Sequence, residues 1–350
     1  MIIEKPLRVG IIGAGPVTQA VHLPTLARLP GLFEVAAVMD VSAESAEAVA
    51  RRVGARSTTS FEAVLSDDSI DVVAICTPDL LHADQVIAAM EAGKRAVFCE
   101  KPLATTLEEA DRIAETARRL SVPLVVGAMH VHDPAWQSVQ DVVAELAVSA
   151  HTVRSSIVLP FNERFQHLVT ELLPKPPAAP PAEIDAEVLA GLMELAVLSL
   201  AVHDLPLVRA FLPASADVEV AAAELLSPFG YALTVTAGGR MLDLIGLVNA
   251  QWHPSWELEV FGDSTRLHLA FTPSFVHAGS AVATVERAGV TSVFGPFASN
   301  GYEGEWRLIA RILTDPDVRA PSVETLVSDL HLAVDLANQA SAKVREAAGA

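Results

Sequence analysis

Over the first third of the chain, short apolar runs alternate with longer amphipathic segments. Leu7–Ile12 is apolar and ends in Gly13-Ala14-Gly15, and Val17–Leu29 follows with helical spacing. Val35–Met39 is a second strand-like run that stops at Asp40, after which Ser42–Val53 is amphipathic. Val72–Cys76 reads as a third strand, followed by Thr77-Pro78 and a helix to about Ala92 that Gly93 stops. Ala96–Cys99 runs into Glu100-Lys101-Pro102, Thr106 and Glu109 form a capping box for the next helix, and Leu124–Val126 is one more strand. β-Branched runs separated by longer helices predict a parallel sheet with helices on both faces and right-handed crossovers.

Beyond residue 150 the pattern changes. Strand-like runs recur at Val153–Leu159, Val218–Leu226, Tyr231–Thr236, Met241–Val248, Trp256–Phe261 and Arg266–Phe271. Gly238-Gly239 and Gly262-Asp263 read as hairpin turns. An apolar helix is expected over Ala186–Phe211, and helices close the chain at Glu303–Leu313 and Val323–Ala347. Pro174–Pro181 holds five prolines and reads as a surface loop.

The length of 350 residues suits two domains, and 51% hydrophobic with 19% charged residues is a globular composition. The net charge of −19 argues against a nucleic-acid backbone or an anionic membrane as the natural partner. The two cysteines, Cys76 and Cys99, sit in strand-like runs and read as small core residues of a reducing compartment. The N-terminus reaches charged Glu4 and Lys5 at once with no apolar run, so no signal peptide is expected, and Glu194 interrupts the apolar stretch Val188–Val202, which reads as a buried helix. A cytoplasmic protein is expected. His151, His167, His253, His268 and His277 lack metal-ligand spacing, so no metal is expected, and no Gly-x-Ser-x-Gly elbow is present.

In a parallel sheet, ligands bind beyond the carboxyl ends of the strands. Gly13, Gly15, Asp40, Thr77, Pro78, Glu100 and Lys101 all sit at such ends. Gly13 permits a tight turn, Gly15 lets backbone approach a pyrophosphate, and Pro16 and Val17 open the helix. Thr18 departs from the glycine or alanine usual at the third fingerprint position. Asp40 closes the second strand at the spacing of a ribose-binding carboxylate, with helix capping as its plainer reading. It would repel a 2′-phosphate, and Val41 adds no positive charge, which favours NAD over NADP.

With these residues in place the chain resembles the Gfo/Idh/MocA family, the group of glucose–fructose oxidoreductase and inositol dehydrogenase. The resemblance is carried by Gly13–Val17 continuing through His22-Leu23-Pro24, by Cys76-Thr77-Pro78 with His82, by Glu100-Lys101-Pro102, and by Gly127–Ala135 leading into a second domain. It is close over about the first 135 residues and looser beyond, where His203 and its helix anchor it. It implies α/β architecture: an N-terminal Rossmann domain with a doubly wound parallel sheet (1–128), then a C-terminal α+β domain (129–350) with a large, mostly antiparallel open sheet. The second domain would bind substrate and support a homo-oligomer, dimer or tetramer. The resemblance adds Val41 and His82 to the cofactor residues and Met129 and His130 to the substrate residues.

The implied activity is hydride transfer between a nicotinamide dinucleotide and a sugar, sugar-derivative or cyclitol hydroxyl. Such chemistry needs a group that takes the hydroxyl proton while hydride leaves the same carbon. Lys101, at the cofactor edge, is the first candidate, against the plainer reading of a lysine that only pairs with Glu100 or the cofactor. His203 is the second, as general base or hydroxyl orienter, against the plainer reading of a satisfied core histidine. Members of the family often carry an aspartate four residues before this histidine and an acid three residues after it. This chain has Ser199 and Pro206. Ser199 can hydrogen-bond substrate but carries no charge, so duty shifts toward Lys101 or a carboxylate such as Glu194. Trp252 and Trp256 flank Pro254; aromatic faces stack on sugars, so Trp252 joins the candidate substrate residues, although tryptophans in sheets are more often core. The alternatives are an NAD-retaining glycoside hydrolase and a non-catalytic ligand sensor on the same fold.

Overall fold

The computed structural model describes residues 5–170, 172, 185–213, 216–249 and 253–349. The proline-rich loop Pro174–Pro181 and Trp252 lie outside the described residues. The chain divides into two units: Met1–Ala128 with Gln166–Pro174 and Tyr302–Leu330, and Met129–Phe165 with Lys175–Gly301 and His331–Ala350.

In the first unit the strands are β1 (Leu7–Ile12), β2 (Phe33–Met39), β3 (Arg56–Thr58), β4 (Val72–Ile75), β5 (Ala96–Cys99) and β6 (Leu124–Val126). They form a parallel sheet of order β3-β2-β1-β4-β5-β6. β4 and β5 are buried along their whole length, as strands covered on both faces must be. β3 is short, polar and at the sheet edge, so no apolar run announces it. The intervening helices are stopped and started by local chemistry. Ser42 caps Ala43–Val53 by accepting from the Ser45 N–H, and Gly54 ends it at φ 69°. Thr106 and Glu109 form the expected reciprocal capping box of Leu107–Leu120.

The helical segment after β1 is irregular. Thr18–His22 is a π-turn and Leu23–Ala27 an α-helix. Pro24 has no N–H to give the carbonyl four residues back, which accounts for the widened turn before it.

The helix Gly301–Thr314 also belongs to this unit, although the expected boundary put it in the second domain. Trp306, Ile309 and Ala310 are fully buried in the core that holds Val9, Ile11, Val72 and Phe98. Trp306 stacks on Phe98 at 5.3 Å and meets the edge of Phe33 at 5.2 Å. Burying such a side chain contributes about 3 kcal/mol, enough to fix where the helix docks.

The second unit is built on a sheet of order β14-β13-β12-β11-β7-β10-β9-β8. Its strands are β7 (Ala150–Pro160), β8 (Val218–Leu226), β9 (Phe229–Ala237), β10 (Arg240–Asn249), β11 (Ser255–Gly262), β12 (Thr265–Ala270), β13 (Val282–Arg287) and β14 (Val290–Phe294). Only the central β7–β10 pair is parallel among the described residues, so the sheet is mostly antiparallel as expected. β11 and β12 alternate buried and half-buried positions, with one face on a core. Gly238-Gly239 forms the expected hairpin turn, both residues at positive φ. The apolar helix Ala186–Leu200 packs on β9 and β10, burying Ala190, Met193, Ala196, Val197 and Leu200.

That helix is shorter than the sequence suggested. The run expected over Ala186–Phe211 breaks into Ala186–Leu200, a 3-10 turn at Ala201–His203 and a second helix Leu205–Arg209. Pro206 is the cause: its ring cannot donate to the carbonyl of Val202, so it starts a new helix instead of continuing the old one.

Between Leu124–Val126 and the second sheet lies the 3-10 turn Met129–His132. Burial holds the His132 imidazole down at about pKa 4, against an ordinary 6.5. The unfolded chain therefore binds a proton that the folded chain refuses between those values, and stability rises with pH through that window. It is fully present above pH 6.5 and lost on acidification toward pH 4, a contribution of about 3 kcal/mol. Replacing His132 by Asn is expected to flatten the acid limb of a plot of denaturation free energy against pH, and an unchanged limb would refute the assignment.

Candidate active site

The order of the first sheet reverses direction between β1 and β4, and in parallel sheets ligands bind beyond the strand ends at such a point. The loops after β2, β1, β4 and β5 follow one another along this edge. They carry Asp40 and Val41, then Gly13 to Val17, then Thr77 and Pro78, then Glu100 and Lys101. Eleven positions expected to contact a cofactor thus come from four neighbouring strand ends and the turn of His82 that follows β4.

Gly13 has φ 97°, and a Cβ there would lie 2.5 Å from the Cys76 carbonyl oxygen. No side chain fits, so the glycine is required by both conformation and space. The Thr18 hydroxyl donates to the Gly13 carbonyl at 2.5 Å, and Gln19 Nε2 donates to the Ala14 carbonyl at 2.7 Å. The unusual threonine in the fingerprint therefore braces the turn from within. Asp40 accepts from the Ala14 N–H with Oδ2 at 2.8 Å and from the Ser42 N–H with Oδ1 at 2.9 Å. Its carboxylate is locked to the glycine turn, half-exposed beside the solvent-facing Val41.

Thr77 is half-buried, its hydroxyl donating to Gln85 Oε1 at 2.6 Å, and Pro78 is exposed. His82 is buried, with Nδ1 2.6 Å from the Pro102 carbonyl oxygen and Nε2 2.9 Å from that of Thr77. The ring ties the loop after β4 to the loop after β5; it acts on the edge by holding those loops.

Glu100 is the centre of a second network. Its Oε1 lies 2.8 Å from His22 Nε2, and its Oε2 accepts from the Lys101 N–H at 3.1 Å. The Trp306 indole N–H points at His22 Nδ1 at 3.2 Å. Burial disfavours a charged His22 ring, whereas Cys76 and Glu100 favour it and pull its pKa up. The indole N–H aimed at Nδ1 calls for a lone pair there, so in the neutral form the proton sits on Nε2, where the ring donates it to Glu100. Burial also works against the Glu100 carboxylate, but the His22 hydrogen bond and Lys101 hold its pKa below the ordinary value. Lys101 has the opposite balance. Burial lowers the pKa of its ammonium, and Glu100 and Asp79 only partly restore it. A lysine so placed is poised to take and return a proton.

In the second unit, His203 and Ser199 are half-buried at the break of the Ala186–Leu200 helix. Beside them lies a buried carboxylate, Asp204, which is 1% exposed. It accepts from His130 Nδ1 at 2.8 Å, Ser155 Oγ at 2.7 Å and Trp256 Nε1 at 2.9 Å. His130 stacks on Phe271 at 3.8 Å and is buried, and Met129 is buried beside it in sequence. Trp256 in turn sets its ring edge against His203 at 5.2 Å. His130, Trp256 and His203 thus pack ring against ring beside Asp204.

Asp204, Trp256 and His22 gained no assigned role from the sequence. The signal for Asp204 was present, as an acid directly after His203 on an apolar segment where an unpaired charge is costly. Glu194 is half-buried on the same helix as Ser199. No group of three or more metal-ligating side chains occurs among the described residues.

Converting Asp204 to Asn removes the charge that three buried donors share and turns an amide N–H toward them. The loss is expected to be at least about 3 kcal/mol in chemical denaturation. A change below about 1 kcal/mol would show that the network does not depend on its charge.

Comparison with known proteins agrees with this geometry. Residues 7–128 match the family model described as the oxidoreductase family with NAD-binding Rossmann fold. Inositol 2-dehydrogenase 3 of Saccharopolyspora erythraea is 29% identical over 312 residues, spanning 85% of this chain and 82% of that protein. Inositol 2-dehydrogenase of Paracoccus denitrificans is 37% identical over 143 residues, which is 40% of this chain and 42% of that protein. A 3-ketoreductase from Actinomadura kijaniata, solved in an open conformation with TDP-benzene and NADP, superposes with a TM-score of 0.71 at 25% identity, covering 94% of this chain and 96% of that one. The NAD-binding domain over residues 7–128 is thus that of the Gfo/Idh/MocA oxidoreductase family, and the likeness to an inositol 2-dehydrogenase extends over most of the chain.

Proposed function

We propose that the protein moves hydride between NAD(H) and a secondary hydroxyl or keto carbon of a sugar, sugar derivative or cyclitol, with Lys101 as the acid–base group at that oxygen. The placement of Lys101 carries the reading: a lysine at the carboxyl edge of β5, with its ammonium disfavoured by burial, next to a carboxylate already engaged by His22. The names of the aligned relatives, inositol dehydrogenases, and of the superposed ketoreductase support the substrate class.

The residues present fit a dinucleotide. The turn at Gly13 packs too closely on Cys76 to carry a side chain, and the half-exposed Asp40 carboxylate is fixed at the end of β2. Gly13 to Val17 would hold the pyrophosphate and Asp40 the ribose, while the loops of Thr77 and Glu100 flank the reacting end. When bound, the nicotinamide supplies the carbon that accepts or returns the hydride. Lys101 takes the hydroxyl proton in the oxidative direction and returns it to the carbonyl oxygen in reduction. His203 orients the hydroxyl. The neighbouring Asp204 is committed to His130, Ser155 and Trp256, and Ser199 carries no charge, so proton exchange falls to Lys101.

NAD is the preferred dinucleotide on electrostatic grounds, since a fixed carboxylate at the ribose repels a 2′-phosphate and Val41 beside it offers no cation. Fluorescence titration is expected to show tighter binding of NADH than NADPH. Asp40→Ala should weaken NADH about 10–100-fold, the worth of a charged hydrogen bond, and spare NADPH. Tighter NADPH binding by the unaltered protein would reverse the assignment.

Turnover is best sought with NAD and myo-inositol, then with other polyols and keto-sugars with NADH. Lys101→Ala should lower kcat about 100–10,000-fold and leave NADH affinity within a few fold. Near-full turnover without Lys101 would move the acid–base role elsewhere.

A further inference from the structure

One indole holds the side chains of two consecutive residues in the second unit. Trp256 Nε1 donates to both carboxylate oxygens of Asp204, at 3.0 Å to Oδ1 and 2.9 Å to Oδ2. The same ring meets the imidazole of His203, the residue before Asp204, with centroids 5.2 Å apart and planes at 79°. It also meets the His130 ring at 4.5 Å and 73°. Trp256 is buried, and the proposed chemistry gives it no part.

The two ends of this contact differ in how firmly their backbones are held. Trp256 belongs to β11, where it pairs with Ile157 of β7, and its carbonyl accepts from the Phe271 N–H at 2.8 Å. Its ring points with Leu258 and Val260 to the buried face of the sheet. His203 instead ends the 3-10 turn Ala201–His203, where the helix is broken ahead of Pro206. A side chain at such a break lacks the regular preceding turn that restricts rotamers inside a helix. Asp204 is pinned as well by Ser155 of β7 and by His130, so its carboxylate cannot swing without losing three donors. The sheet thus provides a fixed reference, and the indole carries it to the imidazole.

We propose that Trp256 is a positioning residue for His203: its N–H, bound to Asp204, sets the plane of the indole, and that plane confines the His203 imidazole to one rotamer. The inference rests on the reading of His203 as the group that orients the substrate hydroxyl. Ser199, four residues before the histidine, brings no carboxylate to the ring. The imidazole takes its orientation from the carboxylate one residue after it, through the indole that both side chains share.

The chain has 11 histidines and 4 tryptophans, few enough for NMR of the full-length protein labelled in both ring types, with His203→Gln and Trp256→Phe identifying the two signals. The unaltered protein should show ring-to-ring nuclear Overhauser contacts between Trp256 and His203 and one set of His203 signals. In Trp256→Phe, which keeps a ring and removes the N–H, the His203 signals should double or broaden as further rotamers populate. Tryptophan replaced throughout by its benzothiophene analogue, which keeps the shape and lacks the N–H, should do the same if Phe disturbs folding. With NAD and myo-inositol, Trp256→Phe should lower kcat about 10–100-fold, and the double variant with His203→Gln should be no slower than His203→Gln alone. Missing ring-to-ring contacts, unchanged His203 signals without the N–H, or losses that multiply in the double variant overturn the proposal. Full turnover by His203→Gln would instead sink the reading of His203, and the spectra would still decide whether Trp256 fixes its ring.

Discussion

The close approach of the Gly13 α-carbon to the Cys76 carbonyl oxygen governs the rest of the first unit. At that point β1 and β4 run side by side while their exit loops must turn apart, and only a residue without a side chain lets the backbones stay in contact. Every other feature of the edge is tied to this crossing. Thr18 and Gln19 occupy the carbonyls of the turn, Asp40 accepts from its Ala14 N–H, and His82 joins the next two loops. A site assembled from the ends of several strands is only as well defined as the contacts that hold those ends in register.

Two networks of different character support the two candidate acid–base residues. Behind Lys101 the donors and acceptors form a chain, from the Trp306 indole to His22 to Glu100, in which each hydrogen bond fixes the direction of the next. Beside His203 they converge instead: three donors meet on the single carboxylate of Asp204. A chain transmits a change of charge along its length, whereas a convergent carboxylate resists one because several partners would lose at once. This contrast fits a lysine that exchanges protons and a histidine that holds position.

Much of this was legible in the sequence, and the omissions have physical causes. Apolar runs marked β1, β2, β4, β5 and β6 because strands covered on both faces are nearly all apolar, with Arg8 and Glu34 the charged exceptions in β1 and β2. β3 escaped because its residues are polar, and β14 because it faces solvent along most of its length. The hairpin at Gly238-Gly239 was readable, since only glycine takes both positive φ values at ease, while the equivalent turn at Ala288-Gly289 hides behind an alanine. The break at His203 followed from Pro206, yet the apolar periodicity on either side masked it. Strand ends that carry Asp40, Glu100 and Lys101 could be listed from sequence order alone. The partners His22 and Trp306 could not, because 284 residues separate them and no local pattern encodes such a pairing.

The docking of Gly301–Thr314 into the first unit also has a consequence for biosynthesis. The sheet of this unit is complete in sequence by Val126, but the tryptophan that fills its core and orients His22 leaves the ribosome only after the whole second sheet has been made. Until then the nascent sheet exposes the apolar surface of Phe33 and Phe98. Vectorial synthesis therefore cannot finish this unit first, and a prematurely terminated chain would carry a dinucleotide fold with an open core, a natural substrate for chaperones and proteases.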